Sequence, residues 1–458
     1  MSTGPADALA SSRFAAIVAE TAELAARFAA AGHRLYLVGG TVRDLVAGDD
    51  RPQFDLDATT TARPADIKRL VQGWADAVWT QGERFGTIGA MKRSDGPDGP
   101  GTLERIFEIT THRAEAYRGD SRKPDVAFSD DVVADLSRRD FTVNSMAVEL
   151  TSPTPTLVDP FHGVDDLRAR VLRTPLTPHE SFGDDPLRML RAARFVARYD
   201  LAPVDDLVDA VRSMGERMRI VSAERVRDEL DKLLVGPSPE TGLRFVLDTG
   251  LAPFVLPELA AASGVSPIDV VAAVPGGHRA VRWAAVLSGT DRPTAQARLQ
   301  ALRASTADTT AVATLVGLHR ELAGALDERT DGPDVVGEVG WSDADVRHLA
   351  HRAGSLFDDL LVLERAVQAA TPGDAAARRL ACLDRLGERV RLLSSREDLG
   401  ALRPELDGAE VMRALGLQPG REVGAAMAFL LERRLEQGPM EREAALDQLR
   451  EWWTRHSK

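Results

Sequence analysis

Two acidic residues near the N-terminus have the spacing of a metal site. Asp55 and Asp57 are separated by one residue, and in a β-strand alternate side chains share a face with Cα atoms about 6.5–7 Å apart. Two carboxylates that converge to about 4 Å repel each other by about 4 kcal/mol at an effective dielectric constant near 20. A divalent cation between them removes that cost, and Mg²⁺ is commonly held by one or two carboxylates plus substrate phosphate oxygens. Taken alone, such a pair is more often a solvated feature of a surface strand, so at this point Asp55 and Asp57 are candidate ligands of a divalent cation.

A glycine pair before these acids supplies a place for phosphate. Gly39 and Gly40 follow the apolar run 35–38 and precede an expected helix over residues 41–47. Glycine lets the backbone turn sharply and approach a ligand closely, and a helix start attracts anions. Arg43 can add a charge-assisted contact to phosphate. A Gly-Gly turn alone is common, but together with the paired acids it indicates nucleotidyl transfer.

A second polar segment covers residues 137–146, where four residues of interest stand at one expected helix start. Its arginines can meet phosphate, and its aspartate and asparagine can meet a ribose hydroxyl. A helix cap with solvated arginines explains the same pattern, so the residues alone leave both interpretations open. The four candidates are Arg138, Arg139, Asp140 and Asn144.

A third segment opens a helix near Pro186, with Asp184 or Asp185 as the expected cap. Arginines then recur at intervals of three, three and four, which places them along one helix face. An aspartate accepts and an arginine donates hydrogen bonds, so such a pair matches the edge of cytosine or adenine. Arginines further along would meet phosphates, unless the face is simply solvated. The arginines are Arg188, Arg191, Arg194 and Arg198.

Composition narrows the class of protein. A chain of 458 residues predicts two to four domains, and 44% hydrophobic with 28% charged residues is ordinary for a globular protein. No apolar run approaches the roughly 18–20 residues that cross a membrane, residues 1–13 do not resemble a signal peptide, and the single Cys382 excludes an intramolecular disulfide. We expect a cytoplasmic protein without a membrane partner. The net charge of −13 does not decide RNA binding, because a local basic face does.

The elements that must position these residues change along the chain. Strands are expected over 34–38, 53–59, 84–92 and 103–112, a hairpin loop over 94–102, and helices over 12–31 and from Pro64. This predicts a mixed α/β head of about 170 residues. Beyond Pro186 the apolar residues recur at three and four, so the remainder should be helical, with breaks at 236–239, 275–277 and 371–373.

Taken in order, the motifs resemble those of class II CCA-adding tRNA nucleotidyltransferases, whose superfamily includes bacterial poly(A) polymerases. The matching segments are 37–44, 55–57, 138–144, 159–163, 184–195 and 224–230. The resemblance implies a head with a polymerase-β-like mixed sheet over residues 1–175 and a helical neck over 176–260 that selects nucleotides and binds RNA. It further implies a helical body and tail over 261–458 that contact tRNA.

The resemblance also implies roles for the candidate residues. Asp55 and Asp57 would hold Mg²⁺, and Glu108 would be a third catalytic carboxylate that activates the tRNA 3′-hydroxyl, although an exposed strand acid explains it equally. Asp185 and Arg188 would pair with the incoming base of CTP or ATP. The full predicted nucleotide-binding set is Gly39, Gly40, Arg43, Arg138, Arg139, Asp140, Asn144, Asp185, Arg188, Arg191 and Arg194.

The chain departs from the family pattern in two places. The base-selecting motif opens Asp184-Asp185, where Glu-Asp is usual. Residues 281–289 resemble the remnant of a His-Asp phosphohydrolase domain, with Ser288-Gly289 where His-Asp would stand, so we expect no phosphohydrolase activity. The predicted activity is addition or repair of the tRNA 3′-terminal CCA. The alternatives are a poly(A) or A-only adding enzyme, a non-catalytic RNA-binding protein, and an antibiotic nucleotidyltransferase, which would not need the arginine-striped neck.

Overall fold

The computed structural model describes residues 12–49, 55–96, 99–113, 128–261, 264–330 and 341–456. The chain divides into two compact units. The first comprises Met1–Glu229 and Thr241–Val255, and the second comprises Leu230–Glu240 and Leu256–Lys458. The predicted division at residues 175 and 260 stays a prediction.

A mixed sheet of seven strands, counted over the described residues, organises the first unit. Its strands are β1 Leu35–Val38, β2 Asp55–Thr60, β3 Ala77–Trp79, β4 Thr87–Gly96, β5 Gly99–Thr111, β6 Ala147–Glu149 and β7 Thr156–Val158. They lie in the order β3-β4-β5-β2-β1-β6-β7. Within the described part of this sheet, β2–β5 is the one parallel pair. A separate two-stranded pair joins β8 Val171–Leu172 to β9 Ala202–Pro203.

Helices surround this sheet and continue beyond it. They are α1 Ser12–Ala30, α2 Gly40–Val46, α3 Pro64–Val71, α4 Val132–Ser137, α5 Gly163–Ala169, α6 Pro178–Asp184, α7 Leu187–Tyr199, α8 Asp205–Met214, α9 Ala223–Leu234, α10 Pro239–Asp248 and α11 Ala252–Val255. Short 3₁₀ turns cover Glu83–Phe85, Thr142–Asn144 and Gly215–Ile220.

The larger apolar cluster of the first unit packs on one face of the sheet, and a smaller cluster of Tyr36, Val38, Leu136 and Ala147 packs on the other face. Phe14, Leu24 and Phe28 of α1 recur at helical spacing and pack in one cluster with Leu56 and Phe107 of the sheet. Since neighbouring residues of a strand point to opposite faces, the residues on either side of Leu56 and Phe107 project from the other face. That other face therefore carries the acids considered below.

The second unit is helical wherever the structure describes it. Its helices are α12 Glu258–Ala261, α13 Pro267–Ala273, α14 Arg279–Val286, α15 Arg292–Ala301, α16 Thr306–Thr330, α17 Asp343–Ala353, α18 Phe357–Ala370, α19 Asp374–Ser394, α20 Gly408–Leu415, α21 Arg421–Gln437 and α22 Arg442–His456, with 3₁₀ turns at Gly354–Leu356 and Leu399–Ala401. A separate apolar cluster joins α20, α21 and α22 through Val411, Leu430 and Leu449. No helix within the described ranges is both long and apolar enough to cross a membrane.

The predicted fold class, a mixed α/β head followed by helices, is confirmed. The expected breaks at 275–277 and 371–373 fall between helices, and the break at 236–239 ends at Pro239, the first residue of α10. The hairpin loop predicted over 94–102 is wrong in length, because β4 and β5 stay paired as far as Gly96 and Gly99; residues 97–98 lie outside the described residues. The three-residue strands β3, β6 and β7 were not predicted, since so short a segment shows too little alternation.

Candidate active site

The three predicted carboxylates lie side by side on the sheet face opposite the larger apolar cluster. Asp55 and Asp57 alternate with the buried Leu56 on β2, and Glu108 of β5 is the direct cross-strand partner of Asp57. Asp57 keeps exposed surface yet sits deep among protein atoms. Burial raises the pKa of Asp57, with Arg139 lowering it in part and Asp55 adding to the rise. Burial, Asp57 and Asp55 likewise raise the pKa of Glu108.

This donor set fits a divalent cation. Hard cations take carboxylate oxygens, and a cation relieves the repulsion that raises the pKa values of Asp57 and Glu108. The oxygens of Asp55, Asp57 and Glu108, all among the described residues, do not all lie within 4.8 Å of one another. Ligands of one octahedral Mg²⁺ lie at most about 4.2 Å apart. In this arrangement a single ion therefore does not take all three carboxylates.

The glycine pair presses the backbone against these acids. Gly39 has φ 71° and directly precedes α2. A Cβ added at Gly39 would lie 3.2 Å from Arg139 Nη1 and 3.5 Å from Asp57 Oδ2, and one at Gly40 would lie 3.3 Å from Arg43 Nη2. The positive φ and the tight spacing both favour glycine at position 39. The structure thus brings the turn, Asp57 and Arg139 together, and their roles in binding a nucleotide stay predictions.

Arg43 has internal partners instead of a place in the cavity. Its side chain is buried, Nη1 donates to Asn144 Oδ1 at 2.7 Å, and Nε donates to Asp44 Oδ1 at 2.9 Å. Its Cζ lies 4.2 Å from the ring centroid of Tyr199. The structure thus uses Arg43 to fix Asn144 and to contact α7. Its predicted contact with a triphosphate stays a prediction.

A buried charge network holds α7 in place. Arg191 donates from Nε to Asp140 Oδ2 at 3.0 Å and from Nη1 to Glu229 Oε1 at 3.2 Å, and Arg194 Nε donates to Glu229 Oε2 at 2.6 Å. Burial acts to raise the pKa of Asp140, but Arg191, a hydrogen bond from Asn144 and the charge of Arg188 outweigh it and lower that pKa to about 2. Both arginines are therefore paired with buried carboxylates, and neither stands on a fully solvated helix face.

The predicted base-selecting pair adjoins this network. Asp185 Oδ1 accepts a hydrogen bond from the backbone N–H of Leu187 at 3.2 Å, which caps the first turn of α7. Arg188 Nη1 donates to Ser181 Oγ at 2.9 Å, and Nη2 donates to the carbonyl oxygen of Arg138. Burial lowers the pKa of Arg188, opposed by the charges of Asp140 and Asp185. Both side chains are held by the protein before any ligand arrives.

Two cavities of the first unit meet at Asp57. One of about 310 Å³ is lined by Gly39, Gly40, Asp57, Arg139, Asp140, Asn144, Asp185, Arg188, Arg191 and Arg225. The other, of about 450 Å³, is lined by Val38, Asp57, Ala58, Glu108, Thr110, Arg113, Asp135, Arg138, Arg139, Asp185 and Arg188. Most predicted site residues therefore share one concave region. Asp55, Arg43 and Arg194 are not among its lining residues.

The sequence interpretation did not assign Arg225. Its Nη2 donates to Asp185 Oδ2 at 2.7 Å, and it lines the smaller cavity. In the sequence, Arg225 and Arg227 form a basic pair shortly after Ser222, a residue type that favours helix N-caps. That signal could not show which arginine faces Asp185, because the two residues are forty positions away from it in the chain.

The region resembling a His-Asp domain remnant contains α14, which buries Trp283. His278, at the start of that helix, places Nδ1 3.3 Å from Asp359 Oδ1. In the described ranges, the one group of three His, Cys, Asp or Glu residues with all ligand atoms within 4.8 Å is His348, Glu432 and Glu436, and both glutamates are exposed. The expectation that the chain lacks phosphohydrolase activity stays a prediction.

The mixed sheet, the glycine turn and the carboxylate row all fall within one segment that matches a known family. Residues 35–173 match the family described as the poly A polymerase head domain. Residues 204–263 match the family described as the probable RNA and SrmB-binding site of polymerase A. Over these two segments the chain is similar to poly(A) polymerases and CCA-adding enzymes, nucleotidyltransferases that generally depend on a metal.

Relatives in sequence and structure agree with this assignment. The CCA-adding enzyme of Levilactobacillus brevis is 37% identical over 222 residues, which is 48% of this chain and 51% of the relative. That of Streptococcus gordonii is 35% identical over 231 residues, 50% of this chain and 53% of the relative. In these alignments the chain spans about half the length of the relatives.

The fold is also similar to solved structures. The Bacillus stearothermophilus CCA-adding enzyme in complex with CTP has a TM-score of 0.67 at 23% identity, covering 95% of this chain and 97% of that one. The Thermotoga maritima CCA-adding enzyme complexed with tRNA_CCA has a TM-score of 0.62 at 18% identity, covering 98% of both chains. At these identities the likeness shows the fold.

Proposed function

We propose that this chain is a Mg²⁺-dependent CTP/ATP:tRNA nucleotidyltransferase that adds or repairs the 3′-terminal CCA without a nucleic-acid template. The observation that carries the proposal is that Asp57, the Gly39–Gly40 turn and the Asp185–Arg188 pair line a single cavity of about 310 Å³. A metal ligand, a phosphate-binding turn and a base-reading pair are thus within reach of one nucleotide. The CCA-adding relatives support the same activity.

The proposed chemistry begins with the phosphates. Asp55 and Asp57 would hold Mg²⁺, which supplies charge stabilisation to the reacting phosphate. The Gly39–Gly40 turn and Arg139 bind the triphosphate. The RNA 3′-oxygen forms a bond to the α-phosphorus, the bond from that phosphorus to the bridging oxygen breaks, and pyrophosphate leaves with the electron pair.

Glu108 is the proposed general base. It lies beside Asp57 across the strand pair, so it is next to the reacting phosphate. Burial and the neighbouring Asp57 and Asp55 charges raise the pKa of Glu108, which makes it a stronger base than a free carboxylate. It accepts the proton of the 3′-hydroxyl as the new bond forms.

Base selection follows from the hydrogen-bonding edges of the nucleotides. Cytosine and adenine each present an amino donor beside a ring-nitrogen acceptor, and guanine and uracil present a carbonyl beside an N–H. The Asp185 carboxylate only accepts and the Arg188 guanidinium only donates. The pair therefore matches cytosine and adenine, and it places acceptor against acceptor and donor against donor for guanine and uracil.

The deciding experiment incubates the protein with tRNA that lacks its 3′ end, together with each labelled nucleoside triphosphate alone and in combination. CCA addition predicts two cytidines and then one adenosine, with growth stopping there. Long adenosine tails or a single adenosine would indicate the poly(A) or A-only alternative. Absence of any addition would indicate the non-catalytic RNA-binding protein.

The proposed partners are the tRNA 3′ end, CTP and ATP. The proposed compartment is the cytoplasm, because the chain has one cysteine, Cys382, and it is buried. A reducing compartment suits a protein without disulfides. Fractionation of cells with an antibody against the chain tests this proposal.

A further inference from the structure

A row of residues crosses four neighbouring strands on the face that carries the acids. Asp57 pairs with Glu108, Glu108 with Gly89, and Gly89 with Trp79. Directly paired residues project from the same face of a sheet. Since neighbouring strands lie about 4.7–4.9 Å apart, Trp79 begins roughly 10 Å from Glu108 at the backbone. An aromatic side chain therefore stands in line with the carboxylates.

Gly89 lets this aromatic ring lie flat over the sheet. A Cβ added at Gly89 would lie 2.0 Å from Nε1 and Cε2 of Trp79, so the indole occupies the space that any other residue would fill. A glycine inside a strand often marks a place where another group approaches the backbone. Trp79 is only half-buried, so the indole keeps surface available to a ligand.

The ring forms part of a third cavity. This cavity has a volume of about 380 Å³ and is lined by Trp79, Gln81, Gly82, Phe85, Thr87, Gly89, Glu108 and Arg113. Phe85 is 41% exposed. Glu108 and Arg113 also line the 450 Å³ cavity that contains Asp57. The third cavity therefore adjoins the carboxylates directly and combines aromatic rings with a guanidinium.

Strand order places this cavity on the side of the acids away from the glycine turn. The turn follows β1, the acids lie on β2 and β5, and Trp79 lies on β3 beyond β4. In phosphoryl transfer the attacking oxygen and the leaving oxygen stand roughly in line on opposite sides of the phosphorus. With the leaving pyrophosphate at the Gly39–Gly40 turn, the attacking hydroxyl comes from the side of Glu108 and Trp79.

We propose that the cavity around Trp79 binds the 3′-terminal nucleotide of the RNA, with its base stacked on the indole. The inference rests on the proposed function and adds the binding position of the RNA end. Stacking tolerates every base because each has a π-face, which suits an RNA whose terminal base changes after each addition. Arg113, whose Nη2 donates to Thr87 Oγ1 at 3.3 Å, places a positive charge beside the backbone phosphate.

A tRNA whose 3′-terminal base is 2-aminopurine tests the proposal, because stacking quenches the fluorescence of that base. We expect the wild-type protein to quench it and Trp79→Ala to abolish the quenching. In the same variant the KM for RNA rises at least about fivefold, and the KM for CTP stays unchanged. Trp79→Phe keeps an aromatic ring and should retain part of the quenching. Trp79→Leu keeps an apolar side chain over Gly89 but no ring, so it should not quench.

Val78→Ala is the matched control, because Val78 lies on the same strand, faces the other side of the sheet and is 41% exposed. It should behave as wild type in both measurements. If Trp79→Ala does not fold, the comparison of Trp79→Phe with Trp79→Leu decides.

The results separate this proposal from the proposed function. Nucleotide addition by the wild-type protein together with unchanged quenching and KM in folded Trp79 variants overturns the stacking site and leaves the activity standing. A wild-type protein that quenches the probe through Trp79 but adds no nucleotide supports the stacking site and contradicts the activity. Absence of quenching by the wild-type protein overturns the stacking site directly.

Discussion

Arg225 of α9 donates a hydrogen bond from Nη2 to Asp185 Oδ2 at 2.7 Å, while the other oxygen of Asp185 accepts the N–H of Leu187. Both oxygens of the proposed base-reading carboxylate are therefore held by the protein. The direction of the carboxylate is set before a nucleotide binds. Under the proposed function, Arg225 would therefore act on base selection through Asp185.

Arg225→Ala should weaken base selection without unfolding the protein. An ion pair with a half-exposed partner contributes about 0–1 kcal/mol to stability, and the side chain of Arg225 is 53% exposed. We expect discrimination of CTP and ATP over GTP and UTP to fall by up to about tenfold, because Asp185 loses its fixed direction. Competition assays with the four nucleotides measure this ratio.

Arg227→Ala is the control for that variant, since Arg227 lies on the same helix and pairs with Asp228 at 2.8 Å. It should leave base selection unchanged. Equal discrimination in Arg225→Ala and wild type would remove Arg225 from this role.

Asp55→Ala and Asp57→Ala should each abolish nucleotide addition. Loss of a metal ligand removes several kcal/mol of transition-state stabilisation, so the rate should fall at least about a hundredfold. Stability should hold or rise slightly, because each substitution removes a carboxylate from a repelling row. Primer-extension rates and thermal melting measure the two effects.

Glu104→Ala provides the comparison for the two aspartates. Glu104 is an exposed acid on the same strand as Glu108 and pairs with Arg93 at 2.9 Å. It should retain full activity. Asp55→Ala or Asp57→Ala activity within tenfold of wild type at saturating Mg²⁺ would refute the metal assignment.

Protonation of Asp140 should make the protein less stable in acid. Its pKa is lowered from 3.8 to about 2, so its contribution to the free energy of unfolding is fully present above the unfolded value of 3.8. That contribution is lost as the pH falls from 3.8 through about 2. Urea unfolding of the wild type and Asp140→Asn across this range should show a smaller pH dependence in the variant. Parallel curves would contradict the assignment.

Deprotonation of His319 should make the protein less stable as the pH rises. Burial lowers the pKa of His319, but the charge of Glu364 and the 2.7 Å contact between His319 Nδ1 and Glu364 Oε1 raise it more, and Arg320 opposes only in part. The pKa is therefore raised above 6.5. The stabilisation is fully present below 6.5 and is lost as the pH rises through the folded value.

His319→Gln tests that pH dependence by removing the titrating group. Its urea midpoint should vary less with pH above 6.5 than that of the wild type. His351→Gln is the control, because His351 is exposed. The prediction is contradicted if the urea midpoint of the wild type rises with pH above 6.5 and the midpoint of His319→Gln does not. In that case His319 would stabilise the protein at high pH and not at low pH.

Much of the site follows from local sequence because local chemistry fixes it. The positive φ at position 39 requires glycine, and strand alternation places Asp55 and Asp57 on one face. Both features can therefore be predicted from the sequence. The contacts of the arginines on α7 cannot be predicted in this way. Helical spacing places the arginines on one face of the helix, but it does not show which other parts of the protein that face contacts. Glu229, the partner of Arg191 and Arg194, is more than thirty residues away along the chain.

Short strands, and rows of residues that cross several strands, also cannot be predicted from the local sequence pattern. Trp79 lies on a three-residue strand, too short to show alternation, and its position over Gly89 depends on the register of two strand pairs. Arg43 illustrates the same limit in another way. Its place after the glycines suggested a phosphate contact, but Asn144, a hundred residues away, takes its Nη1 donor.

The extended β4–β5 hairpin is a suitable place to attach a tag or a fluorophore. Strand β3 pairs with β4 only up to Met91, and β2 pairs with β5 only from Ile106. Beyond those residues the two strands pair, within the sheet, only with each other as far as Gly96 and Gly99. Isolated two-stranded ribbons are marginally stable, so the head does not depend on this part of the hairpin for its stability. A tag or fluorophore inserted at the end of this ribbon would therefore immobilise or label the protein while leaving the carboxylate row and its cavities untouched.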